Sequence, residues 1–109
     1  MAKQQKLPEK IRKITAKIAS DYKPEKIILF GSAAWGNFGE DSDLDLLIIK
    51  KGVDVLSRGE RYREVSKVLD HEVALDILIY TPYEVKKRLY LGDPFIEQIL
   101  REGKTLYGS

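Results

Sequence analysis

The chain has 109 residues, 43% hydrophobic and 33% charged, with no cysteine and a formal net charge of +2. That length can bury a core without disulfides or a structural metal, and the missing cysteines exclude disulfide frameworks and Cys-ligated zinc. No apolar run approaches the roughly 18 residues of a membrane span, and the start, Met1-Ala2-Lys3-Gln4-Gln5-Lys6, lacks the apolar stretch of a secretory signal, so one cytoplasmic domain over residues 1–109 is expected.

Leu7, Ile11, Ile14, Ile18 and Tyr22 recur at spacings of three and four, which predicts an amphipathic helix over 8–20, ended by the segment holding Pro24. Lys26-Ile27-Ile28-Leu29-Phe30 is a short unbroken apolar run stopping at Gly31-Ser32, the pattern of a central strand buried on both faces. Leu44 to Ile49 is a second such strand. Tyr62, Val65 and Leu69 repeat helically within 56–69, giving a second helix. From Val73 to Tyr80, Val73, Leu75, Ile77 and Ile79 alternate with a set that includes Asp76, so a third strand is expected there.

Thr81-Pro82-Tyr83-Glu84 has the form of a capping box, with Thr81 as N-cap, Pro82 at the first helical position and Glu84 three residues on. The helix it opens should stop near Gly92. Asp93-Pro94 then starts a last short helix ending at Gly103. The expected fold class is α/β (α+β), a small mixed β-sheet flanked by helices.

The charges are unevenly spread. Residues 1–30 hold eight Lys or Arg against three acids, whereas residues 31–50 hold four acids and one Lys. Within that acidic middle, Gly31-Ser32 opens a turn directly after a buried strand, where a bare backbone and a hydroxyl can approach phosphate oxygens. Asp43 and Asp45, one residue apart at the start of a strand, send both carboxylates to the same face. Such crowding costs stability unless a cation neutralises it, and hard oxygen ligands suit Mg²⁺. Asp76 interrupts an apolar strand. Paired beside the strand of Asp43 and Asp45, it would complete a group of three carboxylates and serve as base or metal ligand. A phosphate-cradling turn facing such acids suits phosphoryl or nucleotidyl transfer.

Gly31-Ser32, ten intervening residues, Asp43-Leu44-Asp45 and a later Asp76 on a strand together resemble the minimal nucleotidyltransferases of the DNA polymerase β superfamily. The resemblance covers the whole chain. It implies the nucleotidyltransferase fold, with Gly31 and Ser32 binding nucleotide, Asp43 and Asp45 holding Mg²⁺ and the triphosphate of ATP, and Asp76 activating the acceptor hydroxyl. It also implies a partner, a helical HEPN-domain toxin that receives AMP on a tyrosine, this chain acting as a type VII-like antitoxin. The alternative is an inactive antitoxin that neutralises the toxin by stoichiometric complex formation. Relatives often carry Arg after Gly-Ser, where this chain has Ala33-Ala34-Trp35. Trp35 is expected to pack under the turn.

The remaining signals are bland. His71 sits in a loop and the mechanism does not call for it. Gly103-Lys104-Thr105 echoes the end of a P-loop but lacks the upstream glycine, Gln98 standing in its place. Lys86, Lys87 and Arg88 read as a solvated face. Nucleic-acid binding through the basic first helix ranks last among the readings. An apolar C-terminal quarter, including Leu89, Tyr90, Leu91 and Phe95, fits either packing on the sheet or association with a helical partner or a second copy.

Overall fold

The computed structural model describes residues 7–36, 43–69 and 75–108. Its elements, in chain order, are α1 (Glu9–Lys17), β1 (Lys26–Phe30), β2 (Leu44–Ile49), α2 (Arg58–Ser66), β3 (Leu75–Tyr80), α3 (Pro82–Tyr90), α4 (Pro94–Glu102) and β4 (Lys104–Tyr107). The strands form one mixed sheet in the order β3-β2-β1-β4, with β2 parallel to β3 and β1 antiparallel to both β2 and β4. The mixed sheet flanked by helices agrees with the pattern of the sequence. His71 and Val73 lie outside the described residues.

Both faces of the sheet are covered, which explains the unbroken apolar runs. Ile27 and Leu29 of β1, with Leu44, Leu46 and Ile48 of β2, pack against Ile11, Ile18, Tyr22 and Val65 from α1, the turn after it and α2. On the other face Ile28, Leu47, Ile49 and Tyr80 meet Val85 of α3 and Ile96 and Ile99 of α4. Leu29, Leu47, Ile48 and Ile96 are fully buried. Each such side chain contributes about 1.5–3 kcal/mol of burial. The period-2 alternation of the strands thus divides the core into two layers.

Helix ends differ from expectation in two places: the second helix, expected over 56–69, is Arg58–Ser66, and the first departs further. The first helix does not stop at residue 20 but widens into a π-helical turn over Ile18–Tyr22, closed by the Lys23 N–H donating to the Ile18 carbonyl at 3.2 Å. Lys23 takes a left-handed φ of 56° before Pro24. The wider turn keeps Ile18 and Tyr22 in the core, and the Lys50 ammonium donates to the Tyr22 carbonyl at 2.7 Å, neutralising the helix C-terminus. A strand the sequence reading omits, β4, pairs with β1 through Ile28 opposite Thr105 and Leu29 opposite Lys104.

The capping box at Thr81 is present as expected, with the Glu84 N–H donating to Thr81 Oγ1 at 3.0 Å and the Thr81 N–H donating to Glu84 Oε1 at 2.9 Å. Glu84 does a second job. It receives both ends of the Arg61 guanidinium at 2.8 and 2.9 Å, while Arg61, buried, also donates to the Ile79 carbonyl at 2.9 Å. The guanidinium hydrogen bonds hold the Glu84 carboxyl at about 2, far below its ordinary 4.5. A depressed carboxyl contributes stability that is full above the unfolded value and is lost as pH falls through the folded one. Glu84→Gln is therefore expected to lower stability by roughly 2–3 kcal/mol at pH 7, with the difference from wild type shrinking between pH 4.5 and about 2. Urea unfolding of both proteins across that range checks it; a pH-independent difference would refute the assignment.

Candidate active site

Three strand ends meet at one corner of the sheet. β1 ends at Phe30, opposite Asp45 of β2, and Asp45 lies beside Asp76 of β3 in the parallel register. Asp45, Leu47 and Ile49 alternate onto one face of β2, the face that carries α3 and α4. The acids therefore continue an apolar row into solvent. Asp43, immediately before β2, and Asp76 are exposed, and Asp45 is partly buried.

That placement shapes the charge. Burial raises the Asp45 carboxyl above its ordinary range, and the Asp76 charge, a hydrogen bond with Asp76 and the Asp43 charge push the same way. Asp45 and Asp76 thus lie side by side across the parallel strands, with Asp43 close enough to be felt. Among the described residues, no three acidic or histidine side chains stand close enough together to hold one ion. The donors nevertheless fit a hard divalent cation, since crowded carboxylate oxygens with one carboxyl pushed upward are what positive charge would relieve.

Gly31 completes the corner. Its φ of 73° with ψ of −162° is a backbone state that side-chain-bearing residues rarely adopt, and a Cβ there would collide with Asp45 Oδ2. Ser32 to Trp35 then form one 3₁₀ turn whose first N–H groups no side chain caps. In a three-residue turn, positions i and i+3 lie one above the other. Ser32 and Trp35 both face solvent, while Ala33 is buried in the core. This corrects the expectation that Trp35 packs under the turn: Ala33 takes the inward position, and Trp35 is 69% exposed.

Trp35 instead lines a cavity of about 410 Å³ together with Gly31, Asp45, Phe30 and, from α4, Phe95, Gln98 and Glu102. The contribution of α4 is absent from the sequence reading. The Asp93-Pro94 signal predicts the helix, and Asp93 caps it through the Phe95 and Ile96 N–H groups at 2.9 and 3.3 Å. Its approach to the acids follows from Ile96 and Ile99 docking on the sheet, a tertiary contact with no local mark.

Carboxylates paired across parallel strands beside a glycine turn form an arrangement that suits phosphate chemistry with a cation. The nucleotidyltransferase domain family matches residues 9–106, and the chain belongs to that family. It is a nucleotidyltransferase. A candidate protein adenylyltransferase from Methanocaldococcus jannaschii is 32% identical over 81 residues, covering 74% of this chain and 77% of that protein. A candidate nucleotidyltransferase from Sulfolobus solfataricus shares the fold at a TM-score of 0.58 and 23% identity, over 80% of this chain and 84% of that one. So does a chain of a toxin–antitoxin complex with AMP-PNP, at a TM-score of 0.56 and 22% identity, over 90% of this chain and 73% of that one.

Two substitutions test this geometry. Gly31→Ala should cost about 1–3 kcal/mol through its backbone alone and push the Asp45 carboxylate aside, so that the loss of transfer activity exceeds what unfolding explains. Thermal melts beside rate measurements separate the two effects; an unchanged melt would remove the backbone argument. Asp45→Asn should raise Tm by a few degrees at neutral pH in metal-free buffer. A raised carboxyl stabilises the fold only while protonated, so the advantage of Asn is full above the folded value and vanishes below the ordinary 3.8. Melts from pH 3 to 8 check the sign.

Proposed function

We propose that the protein transfers AMP from ATP to a tyrosine hydroxyl of a partner protein, a HEPN-domain toxin, and so acts as its antitoxin. The observation carrying this reading is the register that sets Asp45 beside Asp76, with Gly31 against the Asp45 carboxylate. Protein as the acceptor is supported by the archaeal relative named for protein adenylylation, and a toxin as the partner by the fold shared with the toxin–antitoxin complex. The HEPN character of the partner and the tyrosine come from the family resemblance of the motifs.

In this reading Asp43 and Asp45 would hold Mg²⁺, which when bound would supply positive charge against the triphosphate. Gly31 and Ser32 bind phosphate through backbone N–H groups and the exposed hydroxyl. Asp76 accepts the proton of the acceptor hydroxyl as its oxygen attacks the α-phosphorus. The bond from that phosphorus to the bridging oxygen breaks, and pyrophosphate leaves with the electron pair. The turn after Gly31 carries Ala33 and Ala34, with no arginine to share the charge. Hence the cation and the backbone bear most of it.

The test is to incubate the protein with Mg²⁺, ATP labelled at the alpha or the gamma phosphate, and host extract, beside Asp43→Ala/Asp45→Ala. Only wild type with the alpha label should give a labelled band, and Asp76→Asn should lower its rate by roughly 10²- to 10⁴-fold. Full transfer by the double variant would overturn the assignment. Stable capture of the partner with no label from any of the four nucleotides would favour stoichiometric neutralisation.

A further inference from the structure

The cavity beside the acids holds more aromatic surface than phosphate chemistry requires. The only tryptophan of the chain and two of its three phenylalanines line it. Phe30 ends β1 and Phe95 opens α4, and their rings meet edge to face at 5.8 Å and 83°. Phe95 is 49% exposed and Trp35 69% exposed, both on the rim of one concavity. Exposed apolar side chains scattered singly are ordinary, but rings gathered around a hollow of this size mark a ligand.

The lining says which part of a ligand enters where. Asp45 and Glu102 both line the cavity, and among the described residues no Lys or Arg does, though Glu102 is paired with Arg101 at 3.2 Å. Gly31 and Asp45 form the end next to the acids, and the aromatic rings with α4 form the other. A neutral, flat, aromatic group fits that second end, where Glu102 and Gln98 offer acceptor oxygens to an exocyclic amine. The Gln98 amide donates to Glu102 Oε1 at 3.2 Å, which turns one polar pair toward that side of α4. The 3₁₀ turn stacks Ser32 and Trp35 on one side, so the hydroxyl assigned to phosphate and the indole stand three residues and one turn apart.

We propose that this cavity is the base subsite of the nucleotide, taking an amino-bearing purine between Trp35 and Phe95, with Gln98 and Glu102 meeting its amine. This rests on the nucleotidyl-transfer reading and deepens it: Gly31, Ser32 and the acids take the phosphates at one end of the cavity, and Trp35 and Phe95 take the uncharged base at the other. Asp76 stands on the far side of Asp45 from β1, leaving the acceptor a separate approach. A base stacked between two rings discriminates by ring size, so ATP should bind more tightly than CTP or UTP.

Trp35, being the only indole, reports on its own stacking. Titrating the full chain with ATP in Mg²⁺ should quench its emission, whereas inorganic tripolyphosphate should bind without quenching. By calorimetry, Trp35→Ala and Phe95→Ala should each weaken ATP roughly 5- to 100-fold and leave tripolyphosphate within about twofold. Trp35→Phe should restore most of the affinity. Both side chains are exposed, so the variants should fold, and melts confirm it. ATP binding unchanged in both alanine variants, or equal weakening of tripolyphosphate, would overturn the subsite while leaving nucleotidyl transfer intact. Binding of neither ATP nor tripolyphosphate would overturn both.

Discussion

The parallel pairing of β2 with β3 is the constraint on which the site depends. In that register Leu44 lies beside Leu75, Asp45 beside Asp76 and Leu46 beside Ile77. The apolar pairs on either side fix the acids, because a slip of one residue would turn Asp76 toward the dry layer under α1 and α2. Two carboxylates side by side are unfavourable in themselves. They persist because they stand at the strand entrance, where Asp76 reaches water and only Asp45 is partly desolvated. The hydrophobic pattern that builds the core therefore imposes the acid pair, and the pair in turn favours whatever positive charge can settle there.

The opposite end of β3 shows how the same fold treats charge when chemistry is not at stake. There Arg61 is buried, but its guanidinium is satisfied by both Glu84 oxygens and by the Ile79 carbonyl, and Glu84 is shared with the Thr81 cap. A little further on, Arg88 lies over the Tyr80 ring at 4.9 Å and pairs with Asp93 at 3.0 Å, holding the corner between α3 and α4. These contacts orient α4, whose Phe95, Gln98 and Glu102 form one wall of the cavity. Paired charge sets geometry at one end, and unpaired charge waits at the other.

Much of this was legible in the chain because the deciding forces are local or periodic. The runs Lys26 to Phe30 and Leu44 to Ile49 read as strands since both faces of each are covered, and the Thr81 and Asp93 caps are encoded by side chains that bond within their own first turn. Gly31 was legible as a turn, and the register of the alternation in β3 already put Asp76 opposite Leu75 and Ile77. What escaped depends on contacts between distant segments. β4 is a four-residue edge strand whose half-buried residues alternate weakly, and its identity comes from pairing with β1. The π-helical turn arises from the need to bury both Ile18 and Tyr22, and the outward Trp35 from the three-residue period that sends Ala33 inward instead. The segment 37–42 lies outside the described residues.

The departure from the family pattern after Gly31 acquires a physical reading in this geometry. An arginine in place of Ala33 would lie in the core, since Ala33 is 1% exposed, and one at Ala34 would sit partly buried against the core layer under α1 and α2. The small residues let the 3₁₀ turn close tightly on the sheet, which sets Gly31 against the Asp45 carboxylate. Tight closure and a local cation compete for the same space, and this chain has taken closure. In the proposed transfer the triphosphate would then have to be neutralised by an ion at the carboxylates, so binding of nucleotide and of metal would be coupled more strongly here than in a site with its own arginine.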